Sequence, residues 1–183
     1  MSHRLFSILG SLTAACVIAL PLSSAIAAQK DRQFFESVSG VWSGPGEIVA
    51  GKYKGTKFSC DLTGQPLESG DAGIKLGGTC RVGVFSQPMN AVISMKDGTY
   101  TGQFLDGSDG KGLDIISGEV NGNKAVMGIN RAKLNGAMVA SVQDDKAMNV
   151  TISVKVEDRM IPVIGLRLNR QAVDQTAVSS IQK

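Results

Sequence analysis

Histidine is nearly missing from this 183-residue chain: the single one, His3, stands at the extreme N-terminus. Without a histidine in the body of the chain there is no Ser-His-Asp or Cys-His pair, and the commonest metal ligand is gone. Aromatic residues are also few, with one tryptophan and two tyrosines. An outer-membrane barrel needs aromatic girdles around a lipid-facing band, and the polar end Ser179-Ser180-Ile181-Gln182-Lys183 offers no closing aromatic strand. No membrane insertion of the mature chain is therefore expected. Charge of one sign is lacking as well, at 19 Lys plus Arg against 16 Asp plus Glu. So small and interspersed a balance implies neither nucleic acid nor an anionic membrane surface, and no nucleic-acid partner is expected.

The N-terminus carries what the rest lacks, a concentrated apolar segment. A basic start at Ser2-His3-Arg4 leads into Leu5-Phe6-Ser7-Ile8-Leu9 and Val17-Ile18-Ala19-Leu20, then Pro21 and the small-residue end Ala25-Ile26-Ala27. These are the three parts of a secretory signal peptide, and residues 1–28 are expected to be removed, giving a periplasmic or secreted location. Two other readings stay open. Thr13-Ala14-Ala15-Cys16 places small residues before a cysteine, as a lipoprotein site does, although the apolar run continues beyond Cys16. An uncleaved anchor of about 20 residues is long enough, but Pro21 and the Ala-Ile-Ala end favour cleavage.

Removal takes His3, Cys16 and Arg4, and leaves two cysteines, Cys60 and Cys80. An even count in an exported chain reads as a disulfide. The turn residues Glu68-Ser69-Gly70-Asp71 lie midway between the two, so a hairpin centred near Gly70 sets them opposite each other. With that bridge formed no thiol nucleophile remains. Asp106, Asp109, Asp114 and Asp144-Asp145 are available as paired carboxylates, but most stand where aspartate shapes turns. The glycine-rich stretch from Asp106 to Asp114 lacks both EF-hand spacing and the phosphate-loop pattern. No catalytic residue, metal or cofactor is expected.

What is abundant is alternation. Phe58, Cys60 and Leu62 alternate with polar residues, as do Ile74 and Leu76, then Cys80, Val82 and Val84. Met148, Val150, Ile152, Val154 and Val156 form the longest such run, the period-two signature of half-buried strands. Asp97-Gly98, Asp106-Gly107, Asp109-Gly110, Asn121-Gly122 and Asn135-Gly136 suit tight hairpin turns. An all-β fold follows, a single antiparallel meander of roughly eight to ten strands by turn spacing. Closure into a barrel removes its exposed edges. One short helix is expected over Asp31 to Val38, where Phe34, Phe35 and Val38 share a face. The barrel is expected to occupy residues 29–170, and a flexible tail residues 171–183.

Gly40-Val41-Trp42 follows that helical segment and opens the first strand, and Leu166-Arg167-Leu168-Asn169-Arg170 brings arginines into the last one. The pair resembles the Gly-x-Trp signature of lipocalins and their calycin relatives, in which a late-strand arginine packs over the tryptophan. It is also similar to bacterial periplasmic metalloprotease inhibitors of the same barrel type. The resemblance implies structural roles for Trp42 and for Arg167 or Arg170.

In such a barrel one face of each strand lines the interior. Phe58, Tyr100 and Phe104 are expected there, with Met89 or Met95 (Met95 preferred), Met127, Met138 and Met148. Two readings stay open: methionine is adaptable and polarizable, so such a lumen suits a small apolar ligand, or the same side chains simply fill a closed, densely packed core. The function expected is that of an exported, non-catalytic, lipocalin-like binding protein. The alternative is a protein-interaction module of the envelope with a protein partner, either a protease inhibitor or a structural component.

Overall fold

The computed structural model describes residues 22–105 and 113–172. Residues 1–21, 106–112 and 173–183 lie outside that description, and with them most of the expected signal peptide, the glycine-rich stretch and the tail.

A helix, α1 (Leu22–Val38), precedes ten strands: β1 (Gly40–Ile48), β2 (Lys57–Pro66), β3 (Gly73–Val82), β4 (Phe85–Lys96), β5 (Thr99–Leu105), β6 (Leu113–Asn121), β7 (Lys124–Arg131), β8 (Leu134–Gln143), β9 (Ala147–Val156) and β10 (Arg159–Arg170). Each strand pairs antiparallel with its neighbours in sequence, and β1 pairs with β10 to close the barrel. Closure leaves no unpaired edge between the first and last strands. The expected meander barrel is thus observed, at the upper end of the expected strand number. The helix begins at Leu22 rather than Asp31, because Ala25, Ala27 and Ala28 are strong helix formers; it overlaps the end of the expected signal segment.

Alternation builds the core. Trp42, Cys60, Ile74, Ile93, Tyr100, Met127, Met148 and Leu168 face inward from eight different strands and join one buried cluster with Phe34, Phe35 and Val38 of α1. The helix lies across the end where β1 begins and β10 finishes, and the turns β2–β3, β4–β5, β6–β7 and β8–β9 share that end. The connections β1–β2, β3–β4, β7–β8 and β9–β10 stand at the far rim.

The turns divide into those that dipeptide chemistry sets and those that register sets. Asp97 and Gly98 link β4 to β5, with φ of 51° and 77°, the two positive values that a type I′ turn requires. Asn135-Gly136, expected as a turn, lies instead within β8, where Asn135 faces Asn130 of β7 and accepts a 2.7 Å hydrogen bond from its side-chain amide. The inward pairing of Met127 with Met138 and of Ala125 with Ala140 fixes the β7–β8 register and moves the turn to Ala132-Lys133. A one-residue slip would turn every apolar side chain outward.

Cys60 and Cys80 are direct partners across β2 and β3 and form a disulfide, with Cα atoms 4.0 Å apart. Their register centres the hairpin on Gly70, whose φ is 73°. Outside this bridge, Asp61 accepts hydrogen bonds from the Ser43 hydroxyl and the Arg81 guanidinium, which together lower its pKa. In the chain-entropy view, closing this loop stabilises by about 3 kcal/mol. Cys60→Ser is expected to lower the unfolding free energy by that order in urea titrations while far-ultraviolet circular dichroism stays that of a barrel. Unchanged unfolding would show that the bridge adds nothing to stability.

Candidate functional site

The helix end of the barrel is sealed by a short list of contacts. Trp42 is fully buried and its indole N–H donates to the Val38 carbonyl at 2.8 Å. The Arg170 guanidinium stacks over the Trp42 ring, 4.3 Å from its centroid. It also donates to the backbone carbonyls of Ser37 and Ser39, and through Nε to that of Asp145 at 2.6 Å. A cation at the last carbonyls of α1 satisfies acceptors that the helix itself cannot. One side chain thus ties the helix C-terminus, the β8–β9 turn and the core tryptophan together. Gly40 makes room: its φ is 116°, and a methyl group there would fall 2.6 Å from an Arg170 nitrogen. Of the two arginines implied by the resemblance, Arg170 takes this place. Arg167 is exposed, on the opposite face of β10 from Leu166, Leu168 and Arg170.

Tyr100 completes the seal. Its ring packs on Phe35 at 5.6 Å between centroids, and its hydroxyl donates to Asp31 at 2.6 Å. Burial, and then the Asp31 carboxylate, push the Tyr100 phenol well above its ordinary pKa. A raised phenol pKa means that stability is intact below about pH 10 and is lost as pH rises beyond it, since the unfolded chain ionises first. In a Tyr53→Phe variant, where Tyr100 is the remaining tyrosine, tyrosinate absorbance is therefore expected to appear only together with unfolding. Ionisation of Tyr100 ahead of unfolding would contradict the seal.

Above the seal lies a cavity of about 200 Å³. Every side chain of its wall is apolar, from Phe34, Phe35 and Trp42 at the helix end to Met89, Phe104 and Ile164 towards the far rim. Five of the residues expected in the lumen, Phe58, Phe104, Met127, Met138 and Met148, are brought together there. Tyr100 and Met95 stand apart from the wall. Tyr100 is engaged with α1, and Met95, near the end of β4, packs against the core while its amide donates to Ala72. Met89 lines the wall instead. The width of the cavity has two local causes: the small residues Ala125 and Ala140 face each other across β7 and β8, and the Phe58 ring lies so close over Gly46 that a methyl there would clash with it.

Ile74, Leu76, Val150 and Leu166 also belong to the wall and were legible as inward positions of their strands. The helical residues Phe34, Phe35 and Val38 were legible as one apolar face, with no sign of what they cover. A wall of this kind excludes water and offers no charge or hydrogen-bonding group to a reacting molecule; what it does offer is dispersion contact and desolvation. Outside the barrel, a groove of about 880 Å³ runs between α1 and the β6–β7 and β8–β9 turns, bordered by Lys30, Asp31, Asn121, Asn123, Asp144 and Asp145. Among the described residues, no three His, Cys, Asp or Glu side chains are grouped to share a metal ion.

A closed ten-strand antiparallel barrel, plugged at one end by an N-terminal helix around an apolar interior, is the class to which the chain belongs by architecture. The crystal structure of Rv2717c from M. tuberculosis is similar to it, with a TM-score of 0.55 over 78% of this chain and 98% of that one, at 11% sequence identity. Identity at that level speaks for the fold alone. No family model matches the chain, and no curated protein matches it in sequence.

Proposed function

We propose that this protein is an exported, non-catalytic barrel of lipocalin-like build that holds a small apolar molecule in its lumen. The observation that carries the reading is the cavity wall, apolar throughout and assembled from all ten strands around Met127, Met138 and Met148. The stacked Trp42–Arg170 pair beside Gly40 supports kinship with calycins. Export is supported by the N-terminal apolar segment and by the disulfide, which persists in oxidising compartments. No helix among the described residues is long and apolar enough to cross a membrane.

Size narrows the ligand. A cavity of about 150 Å³ admits benzene, whereas drug-sized ligands occupy about 300–1,000 Å³. The lumen, at about 200 Å³, suits a compact apolar molecule of roughly ten non-hydrogen atoms. Contact energies at that size favour micromolar rather than nanomolar affinity, about 6–8 kcal/mol.

Native mass spectrometry of the protein purified from its own periplasm is the test. A non-covalent adduct of one small molecule, released by organic solvent, is the expected result. Protein that is consistently bare and instead captures a protein partner would sink the reading in favour of an interaction module of the envelope.

A further inference from the structure

The far rim of the barrel is apolar where a soluble protein's turns are ordinarily polar. Large hydrophobic side chains stand exposed at each of its four described connections: Val49 and Tyr53 in β1–β2, Val82, Val84 and Phe85 around β3–β4, Leu134 after β7–β8, and Val156 and Met160 around β9–β10. Val84 is 94% and Phe85 78% exposed. By strand parity Val82, Phe85, Leu134 and Val156 continue the inward-facing rows of β3, β4, β8 and β9. Those rows run past the level at which opposing strands can cover them. The β4–β5, β6–β7 and β8–β9 turns at the helix end carry no exposed large hydrophobic residue. Val41, Val92, Ile116 and Val126 are also exposed, along the strands of the barrel wall, but scattered exposed hydrophobics are ordinary, whereas a group of them gathered on the connections of one rim marks an interaction surface.

Charge identifies the surface it fits. Lys52, Lys54, Lys57, Lys133, Lys155 and Arg159 are exposed around the apolar tips, and the Lys52 ammonium lies 5.4 Å from the centroid of the Tyr53 ring. Glu157 and Asp158 share one turn there, and Glu47 is half-buried nearby. At the helix end the balance reverses: Glu68, Asp71, Asp97, Asp144 and Asp145 stand in or beside the turns, against Lys96, Lys124 and Lys146. Among the described residues, basic side chains thus outnumber acidic ones at the far rim even with Asp114 at the start of β6 counted, while the turns at the helix end carry more acidic than basic ones and α1 itself is balanced, Lys30 and Arg32 against Asp31 and Glu36. Apolar and aromatic tips ringed by lysines are the chemistry of a membrane interface: rings enter the headgroup boundary, and long basic side chains reach anionic headgroups.

We propose that the far rim docks peripherally on an anionic lipid surface, with Val84, Phe85 and Tyr53 entering the interface and the surrounding lysines meeting the headgroups. The barrel then stands with α1 away from the bilayer. This docking is independent of any ligand in the lumen.

Co-sedimentation with vesicles tests it. The full chain is expected to bind vesicles of phosphatidylglycerol and phosphatidylethanolamine, to remain in solution with phosphatidylcholine alone, and to be released as salt is raised. Val84→Asp with Phe85→Ser is expected to weaken binding by about tenfold or more. Lys52→Glu with Lys54→Glu should remove the preference for anionic lipid. All four positions are exposed, so circular dichroism should show the same fold, and Lys146→Glu at the opposite end should bind as the parent does. Failure of the parent chain to sediment with anionic vesicles would overturn the proposal. So would binding indifferent to Val84 and Phe85, or a rim that captures a soluble protein in preference to lipid.

Discussion

Trp42→Ala is expected to destabilise the protein by about 3–5 kcal/mol, the range for removing a large buried aromatic side chain. The magnitude has two sources. The indole is fully buried, so its removal forfeits its transfer free energy and opens a void beside Cys60, Leu62 and Leu168. It also removes the surface on which the Arg170 guanidinium is stacked. With that support gone, the hydrogen bonds from Arg170 to Ser37, Ser39 and Asp145 lose their alignment, and the C-terminal turn of α1 loosens while Asp31 and Phe35 still hold the helix to Tyr100. A domain of this size should melt about 6–20 °C lower. The coupling is separable: a double-mutant cycle of Trp42→Leu and Arg170→Met should return an interaction energy of about 1–2 kcal/mol. Additive losses would mean that the two side chains act independently and that the stacked geometry adds nothing to stability.

Ala140→Trp should abolish binding of small apolar molecules while leaving the barrel folded. Ala140 faces the cavity opposite Ala125, and an indole there fills most of the space that a compact ligand would take. Overpacking of this kind costs about 1–3 kcal/mol, which a closed barrel held by a disulfide should withstand. Affinity for an apolar fluorescent probe is expected to fall by more than about tenfold, equivalent to at least 1.4 kcal/mol. Ala140→Ser, nearly isosteric, should weaken the probe far less. Equal loss in both variants would indicate that folding, rather than occupancy of the lumen, had been disturbed.

Much of this architecture was legible because a half-buried strand writes its two faces into alternate residues. Met148, Val150 and Ile152 form part of the cavity wall as their spacing implied, and Cys60 meets Cys80 because both stand equally far from Gly70. Alternation does not say where a neighbouring strand ends. Val156 continues the same row yet emerges exposed at the rim, and Phe85 does so on β4. Nor does it say which inward residues a distant element will cover. Tyr100 faces inward as expected, but α1 claims it through Asp31 and Phe35, so it belongs to the seal and not to the wall. Parity along β10 separates Arg167 from Arg170: Leu166 and Leu168 face the core, so Arg170 shares their side of the strand and Arg167 does not. Asn135-Gly136 misled for a related reason: its dipeptide chemistry favours a turn, but the cross-strand row of Met127, Met138, Ala125 and Ala140 determines the register.

Direct titration of the purified parent chain with a compact apolar fluorescent probe, alongside Ala140→Trp, bears most closely on the lumen. The parent is expected to bind with one-to-one stoichiometry and micromolar affinity, and the filled barrel to show no saturable signal. No saturable binding by the parent, or the same binding by both proteins, would contradict a ligand held inside the barrel.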